Sequence, residues 1–201
     1  MKFDAGDKTD KDFCTALQHE FLQCQEALRE FEVRAASLVS QPEDRVLAYG
    51  AYNAYTRFIH HLYEFLIAAL ARERRDTSFF SKRGQGAPAR DDHVSALIHR
   101  IITTARNAAS DRGSEPHLGV LAQDFAKRFR ECRNVAYAHV TPKRPHLNLS
   151  EFYQKYHPYL CILYQNAREW WSQDEEFPDL KEITSFSVVS RNGSAQRCSD
   201  Q

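Results

Sequence analysis

Arg133, Asn134 and His139 are the residues of this 201-residue chain best suited by type and spacing to do chemistry together. They lie within Arg133-Asn134-Val135-Ala136-Tyr137-Ala138-His139, which closes a run of helical periodicity just before Thr141-Pro142. Phosphodiester cleavage without a metal needs a base for the attacking 2′-hydroxyl, an acid for the leaving oxygen and a fixed cation for the phosphoryl oxygens. Histidine transfers protons near neutral pH. Arginine stays charged and grips phosphate through a fork of donors, and an amide such as Asn134 can orient either partner. No acidic cluster in the sequence is fit to hold Mg²⁺, so a metal-dependent nuclease is disfavoured and no cofactor is expected.

Geometry sets a condition. At ~100° per residue, a straight helix carries His139 about 240° around the axis from Arg133. The two converge only if the helix ends or loosens before His139, or if two copies of the motif face each other across a dimer. Pro142 pushes Thr141 out of the helical region, which favours an early end. The competing assignment needs no site: Arg133 is a surface cation near a helix C-terminus, and His139 covers the core stripe that runs through Cys132.

The elements that must position these groups read as helices. Seven glycines and seven prolines are few for this length, and few breakers favour long helices. Phe13, Leu17, Phe21, Cys24, Leu28, Phe31, Ala35 and Leu38 form one apolar stripe, opened by Thr9 with Asp12 at capping-box spacing. Ser40-Gln41-Pro42-Glu43 signals a second start, for a helix to about Arg75. Its buried face runs from Leu47 to Ala69, and its polar face carries Asn53, Arg57, His60, His61 and Glu64. A third helix is expected from about Arg90 to Ser110. A fourth, capped by Ser114, buries Leu118, Leu121, Phe125, Phe129, Cys132 and Ala136. A fifth runs from Asn148 or Ser150 to about Trp171, with Pro158 kinking it. The fold class is therefore all-α, an up-and-down bundle of four to five long helices with an irregular or short-strand C-terminal tail. The helical domain spans 1–172. Residues 173–201 make an acidic segment and a flap or disordered tail, with weak strand-like alternation from Ile183 to Val189.

Lysine plus arginine equals aspartate plus glutamate, 27 each, so net charge gives no argument for nucleic acid. Distribution does: Lys127, Arg128, Arg130 and Arg133 follow the fourth helix, Lys143 and Arg144 follow the turn, and only Glu131 interrupts. Such a cluster suits phosphate binding, although a solvated helix face has the same composition. His60 and Glu64, four apart, have the spacing of metal ligands, but a zinc site takes three or four, so a polar stripe accounts for them better. Gly84-Gln85-Gly86 lacks the strand and third glycine of a dinucleotide cradle. The five cysteines show no metal-ligand spacing and read as reduced thiols of a cytosolic protein. With no apolar leader and no run of ~20 apolar residues, a cytoplasmic protein with no membrane partner is expected. The aromatic load of the fifth helix, from Phe152 to Trp171, suggests an interface between copies.

The Arg133-Asn134 pair followed by His139, late in an all-α chain, resembles the signature of the HEPN superfamily: an arginine, usually followed by a polar residue, then a histidine four to six residues after the arginine. Such domains are up-and-down bundles with the motif near the end of a late helix, and they commonly dimerise so that two motifs line one cleft. The resemblance covers about residues 9–171. It implies metal-independent RNA cleavage, often within toxin–antitoxin or phage-defence systems, with an antitoxin or defence protein as partner. It makes His139 the general acid/base, Arg133 the phosphate and transition-state ligand, and Asn134 the orienting polar group. Some HEPN toxins carry a tyrosine two residues after the histidine, modified by a partner nucleotidyltransferase; Thr141 stands there in this chain, so that control is not expected.

Three function classes remain open on the sequence. One is a homodimeric metal-independent endoribonuclease, with Lys127, Arg128, Arg130, Lys143 and Arg144 holding RNA. Another is a noncatalytic helical module that binds RNA, a nucleotide or a protein. The third and weakest is a metal-binding bundle using His60, His61 and Glu64.

Overall fold

The computed structural model describes residues 2–79, 87–111, 124–138, 142–171, 179–180 and 183. The protein is an all-α helical bundle, with five α-helices and no strand among the described residues. These are α1 (Lys8–Ser40), α2 (Arg45–Glu73), α3 (Ala87–Asp111), α4 (Phe125–Arg133) and α5 (Leu149–Trp171). Short 3-10 turns at Thr77–Phe79 and Arg144–His146 join them, and a π-helical turn, Asn134–Ala138, continues α4. Among the described residues, no helix is long and apolar enough to cross a membrane.

The longest packing surface is the antiparallel hairpin of α1 and α2. Its cross-pairs follow the register: Asp10 meets Arg72, Glu20 meets His61 and Glu30 meets Arg57. Helix α2 also touches α3, α4 and α5, so it is the central helix. The sequence pattern gives α2 one buried face, but Tyr63 and Ile67 are buried as well as Phe58, Ile59 and Leu62. A helix surrounded by neighbours buries apolar residues on more than one side. The consequence for function is direct: the polar face of α2 also meets protein.

Helix α4 presents Phe125, Phe129, Cys132 and Ala136 to the core, as its periodicity predicts. Rings from α2, α4 and α5 interlock there, with Phe129 edge-on to Tyr63 at 5.1 Å and Phe125 5.1 Å from Tyr156. Each large side chain buried in this way contributes about 1.5–3 kcal/mol. In α3, Val94, Leu97, Ile98 and Ile102 are buried.

Helix starts differ from expectation at α1 and α2. Asp7, and not Thr9, caps α1 by accepting from the Asp10 amide at 2.8 Å. Asp44 caps α2 by accepting from the Val46 and Leu47 amides, both at 2.9 Å. The Ser40 hydroxyl instead donates to the Ser37 carbonyl and closes α1. In both cases an aspartate next to the first turn outcompetes the hydroxyl residue, because a carboxylate can take two amides and favours the positive end of the helix dipole. Helix α3 begins at Ala87, earlier than Arg90. Asn148 caps α5, its side-chain oxygen accepting from the Glu151 backbone amide at 3.0 Å while its side-chain Nδ2 donates to the Glu151 carboxylate. Pro158 lies inside α5.

The α5 rings are mostly core: Phe152, Tyr156, Tyr159 and Tyr164 are buried, and Tyr153 stacks on His157 at 4.5 Å. The aromatic excess that suggested an interface is thus largely absorbed within the chain. The side chains of Trp170 and Trp171 lie outside the described residues. So do Ser114, Leu118 and Leu121, the Gly84-Gln85-Gly86 stretch, Cys198, and the tail apart from Asp179, Leu180 and Ile183. Leu180 is buried in the groove between α1 and α5. The four described cysteines are free thiols.

Candidate functional site

Arg133 is the last residue of α4. The sequence groups it with the exposed basic residues, but the structure turns it inward, leaving its side chain 19% exposed. Position 133 follows core residue Cys132, so it sits at the edge of the buried stripe, where α2 supplies an acceptor. The Arg133 Nη2 donates to Glu64 Oε1 on α2, and Nη1 donates to Asn134 Oδ1 at 2.7 Å. The guanidinium lies over the Tyr63 ring, 5.6 Å from its centroid. Asn134 therefore holds the arginine in one orientation, as an orienting amide would.

The chain changes geometry directly after Arg133. Residues 134–138 form a π turn, whose hydrogen bonds run to the fifth residue along and widen the helix; such turns are frequent at functional sites. The straight-helix angle between Arg133 and position 139 does not apply across it. His139, with Val140 and Thr141, lies outside the described residues.

Around this junction the structure gathers groups from three elements. Tyr137, 43% exposed, places its ring 4.7 Å from His60 and 6.3 Å from His61. His61 Nδ1 pairs with Glu20 of α1 at 2.8 Å. Burial, followed by the Arg133 charge and then His61, lowers the His60 pKa from 6.5 to about 4, although Glu20 pulls the other way. His60 is therefore a neutral imidazole at physiological pH. Two buried side-chain nitrogens among the described residues have no hydrogen-bond partner, His60 Nδ1 and Arg133 Nε. Both belong to this cluster. Orphaned buried polar atoms cost stability and are rare outside functional or hydrated sites.

The remaining basic residues separate. Lys127 is exposed, and with Arg130 it lines a recess of about 200 Å³ bounded by Tyr63, Asp92 and Ser95. That recess shares the Tyr63 wall with the Arg133 site. Arg128 is occupied, pairing with Asp124 and Glu131, each at 3.3 Å. Arg144 donates through Nε to the Val135 carbonyl at 3.1 Å, tying the following loop to the π turn. Lys143 is exposed beside it. The structure thus brings Arg133, Asn134 and Arg144 to the π turn and places Lys127 and Arg130 in the adjoining recess.

His60 and Glu64 do not form a metal set. Glu64 is committed to Arg133, His61 to Glu20, and no group of three candidate ligands occurs among the described residues. A histidine–thiol pair lies on α5, where His157 contacts Tyr55 Oη at 3.3 Å and Cys161 Sγ at 3.4 Å. Burial raises the Cys161 thiol and lowers His157, so both are neutral and the thiol is not activated.

Glu20, His60, His61, Glu64 and Tyr137 are the groups the motif did not single out as a site. The i, i+4 spacing of His60 and Glu64 was the available signal, but nothing local tells which helix that face meets. No family model, curated protein or solved structure matches the chain.

Proposed function

We propose that the protein is a metal-independent endoribonuclease of the HEPN type. One observation carries the reading: Arg133 is fixed in orientation by Asn134 and Glu64 at the start of the π turn that precedes His139 in sequence. A fixed cation is what a phosphoryl group in transit requires. Arg133 then stabilises the charge that builds on the phosphoryl oxygens, Asn134 orients the guanidinium, and His139 transfers the proton. Lys127 and Arg130 guide the flanking phosphates, and Lys143 and Arg144 border the π turn. The products are a 2′,3′-cyclic phosphate and a 5′-hydroxyl. The biological setting we propose is a cytoplasmic bacterial toxin or phage-defence component, acting as a homodimer and restrained by an antitoxin or defence partner.

The test is RNA cleavage in EDTA by wild type, Arg133→Ala and His139→Ala, with end-group analysis of the products. Activity that requires Mg²⁺, or that survives both substitutions, would falsify the mechanism. Sedimentation showing only monomer at micromolar concentration would remove the dimer.

A second reading also has an observation in its favour. Glu64 already neutralises Arg133, so a phosphate must compete with a carboxylate. A noncatalytic module that binds RNA, a nucleotide or a protein accommodates that arrangement. It predicts binding without cleavage and little loss of binding in His139→Ala.

A further inference from the structure

We propose that Glu64 is the general base of this site, the group that accepts the proton of the attacking 2′-hydroxyl; the proposal rests on the ribonuclease reading above. Glu64 uses Oε1 to accept from Arg133 Nη2, while Oε2 has no hydrogen-bond partner among the described residues. Its side chain is 29% exposed, enough for a substrate group to reach. A phosphate drawn to Arg133 is therefore brought beside a carboxylate that keeps one acceptor open. In RNA the 2′-hydroxyl neighbours the phosphorus it attacks, so the proton to be removed arrives with the phosphate.

The nearby alternatives are spoken for. His61 is engaged by Glu20 at 2.8 Å. His60 lies one helical turn before Glu64, but its Nδ1 is enclosed and unpartnered, and its ring packs against Tyr137.

The step balances without an oxidant or cofactor. Glu64 Oε2 takes the 2′-hydroxyl proton as that oxygen bonds to phosphorus. The bond from phosphorus to the 5′-oxygen breaks, its electron pair stays on that oxygen, and an acid protonates it, His139 in the present reading. Glu64 then releases its proton to water. Arg133 contacts Glu64 directly, and His60, His61, Glu20 and Tyr137 contact one another in the adjoining cluster.

Glu64→Gln separates a base from a tether, because the amide oxygen still accepts from Arg133 while its basicity is gone. Single-turnover cleavage in EDTA gives the rate, and binding of the uncleavable 2′-deoxy oligonucleotide gives the affinity. The expected result is a rate loss of about 100-fold or more, unweakened binding and partial recovery in Glu64→Asp. Cleavage by Glu64→Gln within about threefold of wild type, with Arg133→Ala inactive, overturns the base role and leaves the ribonuclease reading standing. A rate loss matched by an equal loss of binding or of thermal stability also overturns it. A wild-type protein that cleaves no RNA overturns both.

Discussion

Arg133, at the end of α4, and Glu64, on the central helix α2, form an ion pair that joins the two helices over the ring of Tyr63. The guanidinium is mostly enclosed, so removing either partner leaves a charge with little solvent to turn to. Loss of one member of a buried pair costs more than the pair contributes, and residual exposure reduces that cost. Arg133→Ala is expected to destabilise the fold by about 1–3 kcal/mol in urea unfolding. The Arg133→Ala/Glu64→Ala double variant should lose less than the sum of the singles, since it strands no charge. Additive losses would mean that the pair is not coupled.

His60 gives a pH signature of folding. Its folded pKa, about 4, lies below its ordinary value of 6.5, so the unfolded chain binds the proton more readily. Its contribution is fully present above pH 6.5 and is lost as pH falls toward 4. Because His60 is only partly buried, the loss is on the order of 1–2 kcal/mol after screening is discounted. His157, also shifted down by burial, adds in the same direction. Melting temperature measured from pH 7 to pH 5 should fall less in His60→Gln than in wild type. Equal slopes would show that His60 is not held neutral.

The basic residues should not contribute equally to RNA binding. Lys127 is exposed at the recess beside Arg133, whereas Arg128 already pairs with Asp124 and Glu131. Each lost phosphate contact lowers the slope of log affinity against log salt by about 0.7 for a single strand. Lys127→Ala should show that decrease, and Arg128→Ala a smaller one. Equal slopes in the two variants would point to diffuse attraction with no track along α4.

The start of α5 offers a check on the fold alone. Asn148 and Glu151 satisfy each other reciprocally, so Asn148→Ala should cost about 1 kcal/mol in denaturant unfolding. Ser150→Ala should cost little, because Ser150 is exposed and lies inside the helix. The reverse order would place the cap at Ser150.

Periodicity was sufficient for the helices and for the core face of α4, because Phe125, Phe129, Cys132 and Ala136 recur at the spacing that one buried stripe demands. Caps were less legible: Asp7 and Asp44 stood close to Thr9 and Ser40, and local spacing alone does not choose between neighbouring cap residues. The site was half legible. Arg133 and Asn134 stood out by type, but the inward turn of Arg133 depends on Glu64, sixty-nine positions earlier in the chain. His60 and His61 read as a polar stripe because a helical pattern shows which residues share a face and not which helix covers it. The π turn has no marker in Asn134-Val135-Ala136-Tyr137-Ala138, and it alters the angular relation that a straight helix implied.

The most direct measurement is cleavage of a single-stranded RNA by purified wild type and Arg133→Ala, both in EDTA. Wild type should yield 2′,3′-cyclic phosphate ends, and Arg133→Ala, losing the fixed cation, should fall by a factor of about 100 or more. Absence of cleavage by wild type, or equal rates in the two proteins, would contradict the proposed function.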